Sequence, residues 1–258
     1  MSNTYINIPP ASGGSTPTTI SSFWSQYPSI PGNYFIKEYD VFPNVLANAT
    51  AGDLLTYVSG TSAAYQLSDK SAPLAGIDST EKAIGVVYLN SGSTSAGLVY
   101  CGFGSNNVAS LSFGQQQVNW GVRHNVSHLS DGTDTFTVYN GFMDTVLGAP
   151  TNGLFFRYTH GTNSGKWQFC SAAGSGIVAA DTGVAPAAGV YQVFEIVVNT
   201  AGTSATFYID GVLVGTISTG IPTAGVFPGI TMLKSAGTNA RGPYIDALYM
   251  ATERLATR

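Results

Sequence analysis

Apolar and polar residues alternate in short runs along most of this chain, and Gly, Pro, Asn or Asp interrupts them at close intervals. A period of two bounded by turn formers predicts β-strands. In the first half the runs are Phe35–Phe42, Asp53–Val58, Ile84–Leu89, Gly97–Phe103, Val118–Val122 and Thr135–Tyr139. No stretch keeps a helical apolar period over three turns, because Gly or Pro interrupts most candidates. The pattern predicts an all-β chain.

The second half is the more legible. Gly153–Tyr158 and Lys166–Cys170 flank His160-Gly-Thr-Asn-Ser-Gly165, a loop rich in turn formers, and so read as a hairpin. In Val190–Val198 the alternation puts Phe194, Ile196 and Val198 on one face and Glu195 on the other. Ala205–Thr216 contains Asp210-Gly211, which suits a two-residue type I′ turn. That turn sets Ile209 opposite Val212, Phe207 opposite Val214, and Tyr208 against Leu213 on the other face. Tyr244–Met250 is the last strand. One strongly apolar face and one partly apolar face predict two stacked sheets, a β-sandwich.

Residues 1–22 read differently. Pro9-Pro10 and Ala11-Ser-Gly-Gly-Ser-Thr-Pro17 cannot bury enough surface to fold alone. Tyr5-Ile6-Asn7-Ile8 before them is a short alternation with no stability by itself, suited to adding onto the sheet edge of a neighbour. The segment is therefore read as a docking arm, with Trp24 just past it as an anchor, and residues 23–258 as the sandwich domain.

Composition narrows the function. Only 9% of residues are charged, and 31 glycines with abundant Ser, Thr and Ala take their place, a surface suited to packing in an assembly. Net charge is −4 and the basic residues are scattered, so no stripe exists to neutralise a phosphate backbone, and nucleic acid is not an expected partner. The first ten residues lack the basic and apolar regions of a signal peptide, and no apolar run approaches the ~18 residues of a membrane span, so no membrane partner is expected. Cys101 and Cys170 read as two buried free thiols.

Chemistry-bearing constellations are sparse. Glu38 and Asp40 share a strand face, and Asp131 and Asp134 flank Gly132 in what reads as a turn; neither pair has an acid/base partner. His124 and His128 are four apart, but the glycine and valines around them do not favour a helix that would make them metal ligands. No nucleophile elbow or phosphate loop occurs, so no catalytic residue, metal or cofactor is expected. For a ligand, Trp120, Tyr139, His160 and Asn163 are the candidates, aromatic faces to stack on a sugar and amides to bind its hydroxyls. The competing reading makes Trp120 and Trp167 core and Tyr139 strand packing.

The order of motifs in the second half resembles the jelly-roll module of tailed-bacteriophage structural proteins, a concanavalin A-like (LamG-like) fold. The matching stretches are Asn152–Tyr158, Gly165-Lys-Trp-Gln168, Asp181-Thr-Gly-Val184, Phe194–Asn199, Phe207-Tyr-Ile-Asp-Gly211, Ile221-Pro222, Lys234–Arg241 and Ile245-Asp246. They cover about residues 135–250, and the opening Met1–Pro10 is similar to starts of phage tail and head accessory proteins. The resemblance implies a virion protein assembled in the host cytoplasm: capsid decoration, or a short fibre or collar element. Its partners would be other virion proteins and copies of itself, a trimer being the expected oligomer. The alternative it carries is a tail-associated lectin-like module that recognises host glycans. The E-x-D-x-x-E strand run of the laminarinase-like enzymes on this fold is absent, so a non-enzymatic role is expected.

Overall fold

In Ala205–Ile209 the residues Ala205, Phe207 and Ile209 are buried while Thr206 and Tyr208 between them stay half-exposed, so one face of the strand meets a core and the other does not. The same alternation recurs along the chain in a computed structural model that describes residues 34–40, 55–61, 64–68, 86–103, 111–174 and 176–253. The arm residues Tyr5, Ile6, Ile8, Pro9 and Pro10, and Trp24, lie outside the described residues.

Fifteen strands are described: β1 (Tyr34–Asp40), β2 (Leu55–Ser59), β3 (Ala64–Ser68), β4 (Val86–Asn90), β5 (Leu98–Gly102), β6 (Val118–Val126), β7 (Phe136–Met143) and β8 (Gly153–Thr159), then β9 (Gln168–Ala173), β10 (Gly176–Asp181), β11 (Gln192–Val198), β12 (Ala205–Ile209), β13 (Val212–Ile217), β14 (Phe227–Lys234) and β15 (Pro243–Glu253). They form two antiparallel sheets stacked as a sandwich. The first runs β13-β12-β11-β6-β15-β4-β3, with β1 also paired to β15; the second runs β10-β9-β8-β7-β14-β5-β2. The all-β jelly-roll expected from the sequence is the fold.

Aromatic side chains fill the space between the sheets. Phe156 of β8 meets Phe194 and Phe207 of the facing sheet at centroid distances of 5.1 and 5.3 Å, and Trp167 lies 4.7 Å from Phe194. Trp120, Phe142 and Phe136 are also fully buried. Each such ring stabilises the fold by about 1.5–3 kcal/mol relative to exposure. The outer faces are sealed by a second device, in which a tyrosine lies flat over glycine. A Cβ at Gly121 would overlap the Tyr249 ring, which reaches across β6 to donate to the buried Glu195. On the other sheet the Tyr100 ring covers Gly102 and Gly229 and donates to Pro228 O at 3.3 Å.

Three strands escape the sequence pattern: β3, β10 and β14. In β14, Pro228-Gly229 reads as a turn, yet the strand is central, between β5 and β7. The proline fits because the side lacking N–H faces β5, where Phe103 N donates to its carbonyl at 2.9 Å. The Asp210-Gly211 turn has φ of 51° and 75°, the two left-handed residues a type I′ turn needs. Ile209 pairs with Val212 and Tyr208 with Leu213, but Phe207 pairs with Gly215, not Val214. A bulge absorbs Val214, and Gly215 leaves room for the Phe169 ring.

One polar chain crosses the core. Trp120 Nε1 donates to Asn140 Oδ1 at 3.0 Å, and Asn140 Nδ2 donates to His124 Nε2 at 3.3 Å. His124 is stacked on Phe194 with centroids 4.7 Å apart, and burial pushes its pKa from the usual 6.5 down to about 3. In the unfolded chain this imidazole takes up a proton that the folded one refuses. Stability therefore falls as pH drops from about 6.5 toward 3, by ~1.4 kcal/mol per unit. Urea unfolding between pH 6.5 and 4.5 is expected to show a slope shallower by about that amount in His124→Gln than in the parent chain. Equal slopes would contradict the burial of a neutral imidazole.

Candidate functional site

The four candidate ligand residues do not come together. Trp120 is fully buried in the inter-sheet core, its N–H held by Asn140 and its ring edge-on to Phe103 at 5.9 Å. It has no face to offer a ligand, which corrects its place among the candidates. Tyr139 lies on the outer face of β7, 6% exposed and packed at 5.5 Å against Phe155, so its ring is also unavailable for stacking. His160 and Asn163 sit in the β8–β9 loop at one end of the sandwich. His160 is exposed, whereas both hydrogen-bond donors of the Asn163 amide are engaged, with Trp167 O at 3.2 Å and Asp181 Oδ1 at 2.8 Å.

What strand register does bring together is a row across the outer face of the second sheet. The direct Cα partners run Tyr100, Thr231, Tyr139, Arg157, Gln168, Asp181, one from each of six adjacent strands. Arg157 is half-exposed and directs Nε and Nη2 to Gln168 Oε1 at 3.1 and 2.8 Å, which fixes the guanidinium against its cross-strand neighbour. Thr231 donates to Val99 O at 2.9 Å. Beside this row the face turns apolar, with Phe155, Cys170, Ala172, Met143 and Phe227 buried in a satellite cluster. Burial pushes the Cys170 thiol up to about 12 and raises Tyr139 as well, so neither is a nucleophile at neutral pH. Cys101 is likewise buried, free and raised to about 12. The upper part of this face offers guanidinium, amide and hydroxyl groups to a polar, uncharged ligand.

The described carboxylates are engaged elsewhere. Asp134 accepts from Asn239 Nδ2 at 2.7 Å and pairs with Arg241 at 2.6 Å, tying the β6–β7 loop to the β14–β15 loop. Lys234 Nζ donates to Gly92 O and Asn239 O at 3.2 and 2.5 Å, which brings the β4–β5 loop into the same lock. Asp131 caps its own turn through Thr133 N and Asp134 N, both at 2.7 Å, as its place around Gly132 predicts. Asp144 holds Thr151 and Asn152, Asp181 holds Gly183 N and Asn163, and Asp210 accepts from Val193 N. Asp246 pairs with Arg123, which also stacks over the Tyr191 ring at 4.4 Å, and Glu195 accepts from Tyr249. Among the described residues no group of three His, Cys, Asp or Glu could hold a metal ion. His124 stands in the core and His128 at the surface, so that pair is not a ligand set.

Arg157 and Gln168 were not singled out in the sequence. The signal was present, since each alternates with core aromatics in its strand, but the row is visible only once β14 is known to lie between β5 and β7.

No protein-family model matches the chain, and no curated protein matches it in sequence. Solved structures do share the fold. A protein of unknown function from Shewanella oneidensis superposes with a TM-score of 0.63 at 14% identity, over 95% of this chain and 99% of that one. Peanut lectin does so with a TM-score of 0.51 at 8% identity, over 87% and 99%. A carbohydrate esterase from the Shiga toxin-encoding bacteriophage phi24B follows with 0.50 at 10% identity, over 85% and 100%. The concanavalin-like jelly roll therefore houses lectins and enzymes alike, and identity this low speaks for fold alone.

The loop lock has a measurable consequence. Hydrogen bonding from Asn239, reinforced by Arg241, holds the Asp134 carboxyl below its usual 3.8, so its contribution is present at neutral pH and is lost as pH falls below that value. Asp134→Asn is expected to lower unfolding free energy by about 1.5–3 kcal/mol at pH 7, with the gap to the parent closing at acid pH. A pH-independent gap in chemical denaturation would refute the assignment.

Proposed function

We propose that this chain is a non-enzymatic structural protein of a tailed-phage virion, a rigid concanavalin-like sandwich that joins the particle through its N-terminal arm. The observation that carries this reading is the use of acidic groups. All seven carboxylates whose side chains are described hold a turn, a loop or a cross-strand tyrosine or arginine, and none forms an acid–base pair over an open face. The low charge, the uncharged arm and the motif order over about residues 135–250 support a place in a phage particle as decoration, collar or short-fibre element. Association as a trimer accords with the same surface composition.

The test is incorporation. Phage assembled with a chain lacking residues 1–22 is expected to lose this protein from purified particles, as read by mass spectrometry, while the variant still accumulates in the lysate. Particles that retain it at parental stoichiometry would overturn the arm as the joining element.

A second reading, recognition of a glycan, is favoured by the Tyr139–Arg157–Gln168 row and by the lectins that share the fold. Hydrogen-bonding groups fixed on a sheet suit sugar hydroxyls. On a glycan array, saturable binding abolished by Arg157→Ala and kept by His160→Ala would establish it. Binding indifferent to Arg157 would place any glycan site elsewhere.

A further inference from the structure

Strand register sorts the residues of this sandwich into two ends. Tyr34 of β1 pairs with Glu253 of β15, whose neighbour Thr252 pairs with Val118, and Val118 pairs with Val198. The row continues through Ala205 to Ile217, so β1 begins and β15 finishes at the end where the β11–β12 turn lies. In the second sheet Met143 pairs with both Phe227 and Gly153, which puts the β7–β8 loop at this same end, reached from the first sheet by the β13–β14 connection. Residues 1–33 therefore join the fold at this end, and residues 254–258 follow β15 from it. The β4–β5, β6–β7, β8–β9, β10–β11 and β14–β15 connections lie at the far end.

The two ends differ in chemistry. The far connections carry Asp131, Asp134, Lys166, Asp210 and Arg241. They are also cross-tied, since Ser91 N donates to Arg241 O at 2.9 Å and Ser127 Oγ to Gly242 O at 3.2 Å. At the end where the chain enters, the described connections are residues 103, 111–117, 144–152, 174, 199–204 and 218–226, and Asp144 is their one charged residue. It is engaged by Thr151 and Asn152 of its own loop. The exposed groups there are hydroxyls and amides, among them Gln115, Thr151, Thr203, Thr219 and Thr223, together with Leu147, 60% exposed.

We propose that the end carrying Leu147, Thr203 and Thr223 is seated on the particle, against an uncharged, hydroxyl- and amide-rich surface of another virion protein, and that the cross-tied loops face solvent. This orientation rests on the proposed function, in which residues 1–22 join the particle, and adds the face that meets it. Geometry and desolvation both select this end. β15 is 11 residues long, so the body stands about 35 Å tall. With the far end on the particle, the arm would have to be ordered back along that height, at the entropy cost of roughly ten more residues. From the near end it enters directly. Covering hydroxyls, amides and one leucine strips water from no free charge, whereas covering the far end would desolvate Asp131, Lys166 and Asp210. A charged partner would lose its own water here without gaining an ion pair, so the facing surface is uncharged as well.

The test uses full-length chains on purified particles. Cys101 and Cys170 are free but fully buried, so an introduced surface cysteine is the reactive thiol. Ala201→Cys and Leu147→Cys mark the seated end and Ala188→Cys the far end, all three at exposed positions. All are expected to react alike with a polyethylene-glycol maleimide in the free protein. On intact particles Ala201→Cys and Leu147→Cys are expected to react roughly tenfold or more slower than Ala188→Cys. Equal rates on particles, or protection of Ala188→Cys instead, overturn the orientation. Charge gives a second readout. Ala201→Glu and Leu147→Glu are expected to cut incorporation roughly tenfold or more, while Ala188→Glu keeps it at the parental level. Parental incorporation of all three glutamate variants overturns the seated face, and leaves the arm reading intact if deletion of residues 1–22 still abolishes incorporation. Particles that lack the parent chain overturn the proposed function and this orientation together.

Discussion

Phe156 wedged between Phe194 and Phe207 is the contact from which the rest of the molecule is built. It joins a strand of one sheet to two of the other, and Trp167, Phe169 and Trp120 extend the same layer across the sandwich. Because edge-to-face rings pack at defined distances, the layer fixes the spacing of the sheets and leaves the strands no freedom to slip by one residue. Everything polar then has to find its partner either within that spacing, as Trp120, Asn140 and His124 do, or outside it in the loops. The carboxylates take the second course, and in doing so become structural elements.

That constraint explains which parts were legible in the sequence. Phe194, Ile196 and Val198, or Phe207 and Ile209, announce a core face by alternation alone, and the Asp210-Gly211 turn announces its hairpin. The Asp131 turn was readable for the same reason, since a carboxylate beside Gly binds its own backbone. β14 was not readable, because a strand with Pro-Gly inside it needs a partner that tolerates the absent N–H, and that partner is distant in sequence. Trp120 failed as a ligand candidate because a tryptophan looks alike in a core and in a sugar site until its N–H partner is known. Arg157 and Gln168 went unremarked because the hairpin was readable but its register, which alone sets these two residues opposite each other, was not.

Among the described residues, the half-polar row around Arg157 on the outer face of the second sheet keeps capacity for interaction, and it suits a neutral, hydroxyl-rich surface. The proposed role of attachment and display accords with a chain so poor in charge.

The most direct measurement is a cryo-electron microscopy map of intact particles at side-chain resolution. The proposed function predicts this sandwich on the particle, held there through residues 1–22. Particles devoid of the protein, or a sandwich attached without that segment, would contradict it.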